Sequence, residues 1–210
     1  MDKLEKERQL NPFTAIWLHT REAIRWVLAT KAWPYFFFLL YLAGISAGFI
    51  SLSQSAMLEL PLGAALLFAF VIAPVLLLIA SAFMSVLYLW FGKIMKGSAA
   101  YKDVFKAVIA GLIPQIWLLP LILFFWIIAP EIFLSLTPKE DPFHVFLYAA
   151  YFVILMATSL WSIVIQSKGL AEAHRMATWK GFLTLLVPSA VMWIIMTYVI
   201  ILLVFALAGF

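Results

Sequence analysis

The chain has 210 residues, of which 66% are hydrophobic, 11% are charged and none is Cys, and its formal net charge is +4. A soluble domain is nearer half apolar and about a quarter charged, so a chain with mean hydropathy +1.09 lacks the polar surface to cover itself in water and reads as one membrane domain. The missing Cys excludes disulfides, haem thioether attachment, thiolate metal sites and Cys nucleophiles, and cations placed at the ends of apolar runs, with no long basic patch, exclude nucleic acid as a partner.

Residues 1–9 are charged, and no cleavage site of small residues follows, so no secretory signal is expected. At residue 11 the pattern changes. Asn11 suits a helix cap and Pro12 a first helical position, while Phe13, Ile16, Trp17, Ile24, Val27 and Leu28 fall near one face and His19, Arg21, Glu22 and Arg25 on another. The spacing predicts an amphipathic helix, or two short ones broken near Thr20, lying along the cytoplasmic interface with Trp17 and Trp26 at headgroup depth.

Five apolar stretches follow. The first covers about residues 34–53, and the second, about 62–91, exceeds the roughly twenty residues a crossing needs, so it must tilt, bend at Pro74 or project. The most polar internal segment, 92–106, leads to a third stretch, about 108–134, which Pro114, Pro120 and Pro130 make the least regular. A loop at 137–142 precedes the fourth span, about 143–166, and a polar loop at 167–181 precedes the fifth, about 182–207. The expected fold is therefore an all-α polytopic membrane bundle: a cytoplasmic N-terminal segment with the amphipathic interfacial helix (1–32), then a five-span domain (33–210).

Charge sets the orientation. With the N-terminus inside, the cytoplasmic segments hold Lys3, Lys6, Arg8, Arg21, Arg25, Lys31, Lys93, Lys96, Lys102, Lys106, Lys168, Arg175 and Lys180, which is 13 of the 14 basic residues, and only Lys139 is outside. That bias fits the positive-inside rule and supports an odd number of crossings, with the C-terminus outside.

The apolar stretches hold almost no ionisable residue. Glu131 sits near the outer end of the third and Glu172 in the inner loop, so no paired carboxylates stand at mid-membrane depth and ion-coupled transport is disfavoured. Ser81, Ser85, Gln115, Thr158, Ser159, Ser162 and Gln166 are expected to make interhelical hydrogen bonds or to line a polar cavity. Gly44 and Gly48 form a small-xxx-small pair for close packing, either within the chain or between two copies in a homo-oligomer. No HExxH, no paired histidines and no GxSxG occur, and His19, His144 and His174 are far apart, so no catalytic residue, metal site or cofactor is expected. Glu172, His174 and Arg175 are near one another but lack a nucleophile or oxyanion arrangement.

The inner face collects the amphipathic helix, segment 93–106 and loop 169–180. Their cations and interfacial aromatics serve topology, or form a surface for anionic lipid headgroups or an acidic partner. The candidate interaction residues are Asn11, Trp17, Arg21, Arg25, Lys93, Tyr101, Lys102, Glu172, His174, Arg175, Trp179 and Lys180.

Three segments also carry a family resemblance. Asn11-Pro12-Phe13 with Ile16-Trp17, Arg21, Ile24 and Arg25, then Leu89-Trp90-Phe91-Gly92-Lys93 with Gly97, Tyr101-Lys102 and Val104, then His174-Arg175-Met176-Ala177-Thr178-Trp179-Lys180, resemble the corresponding junctions of bacterial members of the Yip domain family. The resemblance covers the chain from Asn11 onward. It implies a five-span helical domain with a cytoplasmic N-terminus. Eukaryotic relatives are similar to adaptors that organise vesicle budding and engage prenylated small GTPases through cytoplasmic regions, but only about thirty residues precede the first span here. The resemblance implies no catalytic residues. The function expected is that of a non-enzymatic organising or adaptor protein of the bacterial cytoplasmic membrane, binding anionic lipid or a membrane-protein partner, with lipid or amphiphile passage as the alternative and an intramembrane enzyme behind it.

Overall fold

The computed structural model describes residues 12–54, 61–128 and 141–208. Asn11, Glu59, Pro130, Glu131 and Lys139 lie outside these residues, so the cap at Asn11 and the outer end of the third stretch do too. Among the described residues there is no strand, and five helical segments are long and apolar enough to cross a membrane: Trp33–Leu52, Leu62–Ile94, Tyr101–Ile128, Pro142–Ala173 and Thr178–Leu207. The chain is an all-α, polytopic membrane bundle preceded by an amphipathic helical segment.

That segment is two helices, α1 (Pro12–Leu18) and α2 (Thr20–Thr30), broken at His19, whose φ of −112° and ψ of 47° leave the helical region. The faces sort as the periodicity predicts. Ile16, Ile24 and Val27 are fully buried, whereas His19, Arg21, Glu22 and Arg25 are exposed. The buried face packs on Phe36 and Leu39 of the first span, Phe105, Ile109 and Ile113 of the third, and Ile165 of the fourth. Trp17 is partly buried, and its ring stacks on Trp161 with centroids 6.1 Å apart, a parallel aromatic contact that ties α1 to the fourth span.

The first span is α3 (Trp33–Gln54). The second joins α4 (Leu62–Leu67), a π-helical turn (Phe68–Ile72) and α5 (Ala73–Ile94). Pro74 has no N–H to donate and its ring crowds the carbonyl one turn back, and the irregularity takes the form of this wide turn, closed by Ala73 N–H donating to the Phe68 carbonyl. Apolar side chains gain nothing from leaving lipid for one another, so close backbone approach has to hold the spans together. Gly44 and Gly48 supply it within the chain. A Cβ at Gly44 would stand 2.4 Å from Pro74 Cα, and one at Gly48 2.7 Å from Ala69 Cα.

The third span begins earlier than its polarity suggests. Segment 92–106 is only partly a loop, since α6 (Tyr101–Ala110) already carries Lys102, Asp103 and Lys106, with Val104 and Phe105 buried between them. After a turn at Gly111 and Leu112 comes α7 (Ile113–Ile128), where Pro114 sits in the first turn and needs no N–H partner and Pro120 is accommodated inside the helix. The fourth span is α8 (Pro142–Ala173), so the expected loop at 167–181 shrinks to the turn 174–177 before α9 (Thr178–Ala208). Leu170, Ala171, Glu172 and Ala173 are good helix formers, and Leu170 and Ala171 are fully buried, so the helix continues past the expected end of the span. Asp141 caps α8 by accepting from Phe143 N–H at 3.1 Å and His144 N–H at 3.2 Å, with Pro142 at the first helical position, and its other oxygen meets His144 Nδ1.

The fourth and fifth spans pack along each other, and the first and fourth both flank the third. Past Pro188 nearly every residue of α9 is exposed, so its outer half has few neighbours among the described residues.

Candidate functional site

All ten basic residues among the described ones, Arg21, Arg25, Lys31, Lys93, Lys96, Lys102, Lys106, Lys168, Arg175 and Lys180, lie at one end of the bundle. Contacts across elements bind this end together. Glu172 accepts from Arg21 Nε at 2.8 Å and from Arg25 Nε at 2.7 Å, which ties α2 to the last turn of α8. Lys106 Nζ stands 5.2 Å from the Trp33 ring and 5.0 Å from that of Phe36, and donates to the Lys31 carbonyl at 3.4 Å. Lys31 in turn lies over Trp26 and Tyr35. Tyr101 stacks on Phe105 and donates to the Ala82 carbonyl at 3.2 Å.

The α5 and α8 helices end in the same way, side by side. At the end of α5, Lys96 takes a positive φ of 66° while Gly97 N–H donates to the Gly92 carbonyl at 2.8 Å and Lys96 N–H to that of Lys93 at 3.0 Å. At the end of α8, Arg175 takes a φ of 55° while Met176 N–H donates to the Ala171 carbonyl at 2.9 Å and Arg175 N–H to that of Glu172 at 3.1 Å. Both are Schellman turns with a cation in the left-handed position that Gly ordinarily fills. The turns interlock: Ser98 N–H donates to the His174 carbonyl at 3.1 Å, and Lys180 Nζ reaches the Met95 carbonyl at 3.4 Å.

His174 is the bolt of this joint. It is 1% exposed and its ring lies against Gly92 and Gly97, where an added Cβ would stand 2.2 Å from Cε1 and 2.5 Å from Nδ1 respectively. Among the described residues neither ring nitrogen makes a hydrogen bond of good geometry, although the Tyr88 backbone lies close enough to act on the ring. Burial holds its pKa below the ordinary 6.5 and the Lys93 charge adds to the effect, while the Tyr88 backbone carbonyl works the other way.

The sequence-predicted residues therefore separate. Arg21, Arg25 and Glu172 form one ion-paired group. Lys93, Lys96, His174, Arg175 and Lys180 gather at the interlocked turns, with Trp179 exposed beside them and Lys180 5.7 Å from its ring. Glu172, His174 and Arg175 do not converge on one pocket: the first faces α2, the second the glycines, and the third is exposed. Sequence reasoning left out Lys96 and the two glycines as site residues. The pair Lys96-Gly97 after an apolar run signals a helix end, but a chain pattern does not show that a His from another span fills the gap.

Of the polar residues expected to bond between helices or line a cavity, Ser85 and Ser159 donate to carbonyls four residues back on their own helices, and Ser167 does the same. Ser46 and Tyr88 do reach across, to the Gln115 carbonyl and to Ser189. A half-open cleft of ≈ 360 Å³ between the first, third and fourth spans is lined by Ser51, Gln115 and Ser159 among apolar neighbours. Of the residues expected to line a polar cavity, Gln115 and Ser159 border this cleft, while Ser81, Ser85, Thr158, Ser162 and Gln166 are absent from its wall. Among the described residues no three His, Asp or Glu side chains come together as a metal site would require.

Comparison with known proteins adds one finding. No curated protein and no solved structure matches the chain. The model of the Yip1 domain matches residues 14–200, which takes in α2, the first four spans, most of the fifth and both interlocked turns, and the chain belongs to the Yip1 domain family.

Proposed function

We propose that this integral membrane protein is a non-enzymatic organising or adaptor protein whose basic end faces the cytoplasm and holds anionic lipid headgroups or a membrane-protein partner. The observation that carries the reading is the gathering of every described cation at one end, interleaved with Trp26, Trp33, Tyr101 and Trp179 and fixed by cross-element contacts. Cations held on a rigid apolar frame lose little freedom on binding, and each one near an anionic membrane surface contributes about 1 kcal/mol. Lipid retained by the protein after gentle detergent extraction should be enriched in anionic species over the source membrane, and cross-linkers placed at this end should recover a partner if one exists. A retained-lipid composition equal to that of the membrane, with no partner recovered, counts against the reading.

The cleft supports a second reading, passage of a lipid or small amphiphile. The Gln115 carboxamide in its wall is costly in hydrocarbon unless water or a ligand group satisfies it. Proteoliposomes should then move a fluorescent phospholipid between leaflets faster than protein-free vesicles, and Gln115→Leu should abolish the gain. Equal rates with and without protein argue against passage of that lipid.

A further inference from the structure

We propose that the two interlocked turns form a docking site for the phosphate of an anionic phospholipid, held by Lys93, Lys96 and Arg175. The inference rests on the lipid reading above and says which of the many cations do the holding. Most of them are engaged elsewhere. Arg21 and Arg25 are paired with Glu172, Lys31 and Lys106 lie over aromatic rings, and Lys168 and Lys180 donate to Thr20 and to the Met95 carbonyl. Lys93, Lys96 and Arg175 are exposed and have no such contact with the other described residues. Lys102 is also uncommitted, but it belongs to the first turn of α6, beyond the joint.

The geometry brings the three together. Lys93 follows Gly92 and Lys96 precedes Gly97, the two glycines against which the His174 ring lies, and Arg175 follows His174 itself. The Ser98 to His174 hydrogen bond and the Lys180 to Met95 contact fix one turn on the other, so the backbone that carries the three cations is held as one unit. Depth argues for phosphate. Trp90, 64% exposed, stands about one helical turn before Lys93, and Trp179, 59% exposed, follows Arg175 by four residues at the start of α9. Indoles settle at headgroup level, which puts the joint at the height of the phosphates.

The backbone gives a further reason. Lys96 and Arg175 both occupy the left-handed region, where Gly carries no steric cost. The fold would be served better by Gly at both places, and the cations serve the surface. Cations past a helix C-terminus also complement its dipole, so the test has to separate folding from binding.

The full chain, purified in detergent, would be titrated with phosphatidylglycerol and separately with phosphatidylcholine, and the first bound lipid measured by native mass spectrometry. The wild type should prefer phosphatidylglycerol. The double variant K96G/R175G relieves the left-handed strain, so its melting temperature should be equal or higher, while its phosphatidylglycerol affinity falls by at least about fivefold, the effect of one surface cation. Its phosphatidylcholine affinity should not change. The variant K3Q/K6Q removes the same charge from the N-terminal stretch, outside the described residues, and should keep phosphatidylglycerol affinity within about twofold, less than the effect of one surface cation. Undiminished affinity in K96G/R175G, or an equal loss in K3Q/K6Q, overturns the site while leaving the lipid reading in place. A wild type that does not distinguish the two lipids overturns the lipid reading itself.

Discussion

His174 and the glycines around it show how one buried ring fixes a junction. A methyl group at Gly92 would stand 2.2 Å from the ring, and the ring has nowhere to go because Gly97 closes the other side. Gly92→Ala should therefore destabilise the protein by about 1–3 kcal/mol, as overpacking does. Gly63→Ala, with nothing within 4 Å of the added Cβ, should be neutral or stabilising by up to about 1 kcal/mol. Thermal melts of both variants in one detergent check the contrast. Protonation of His174 adds a second dependence. Because its folded pKa is lowered, the unfolded chain binds more protons between that value and the ordinary 6.5. Stability should accordingly be full above about pH 6.5 and fall as the pH drops toward the folded pKa. His174→Gln should flatten that part of the pH–melting curve, and an unchanged slope would show that His174 is not its source.

At the scale of elements, the ion-paired latch between α2 and α8 sets how firmly the N-terminal segment is held. Both guanidinium groups are about half exposed, so the two ion pairs with Glu172 are screened and together worth on the order of 1 kcal/mol, with the buried Ile16, Ile24 and Val27 supplying the rest. Glu172→Gln should raise hydrogen exchange of the α2 amides by about fivefold and leave the spans unchanged, the size expected for that energy. Exchange confined to its wild-type rate would mean the apolar face alone holds the helix. How legible these elements were in the sequence follows from the same physics. The spans and the two faces of α2 were readable because runs and periodicity of apolar residues are local properties, and Gly44 with Gly48 was readable as a close-packing pair. The helical character of 101–106 and 167–173 was not, since Lys102, Lys106, Lys168 and Glu172 look like loop residues until Trp33, Thr20 and Arg25 are placed beside them. The stacking of Trp17 on Trp161 was invisible for the same reason, being a contact between residues 144 positions apart.

At the scale of the molecule, the alternation of five spans places the interlocked turns and the Asp141 cap at opposite ends. The absence of Cys makes this directly testable. Single Cys residues introduced at Lys96 and at Arg175 should react with an impermeant maleimide from the same side of sealed vesicles, and one at Asp141 from the other. With the N-terminus in the cytoplasm, the first two should label only in inverted vesicles. Reaction of Lys96→Cys and Arg175→Cys from opposite sides would break the topology and the proposed surface together.

The bare outer half of α9 ties this topology to the thickness of the bilayer. A helix of 31 residues is about 47 Å long at 1.5 Å per residue, against roughly 30 Å of hydrocarbon. It leans, bends or projects to accommodate its length, and past Pro188 few of the described residues touch it, which leaves the surrounding lipid to set its angle. Its inner end is pinned at Lys180. A thinner membrane would thus lever the helix about that pin, so the joint at the basic end feels the mechanical state of its solvent.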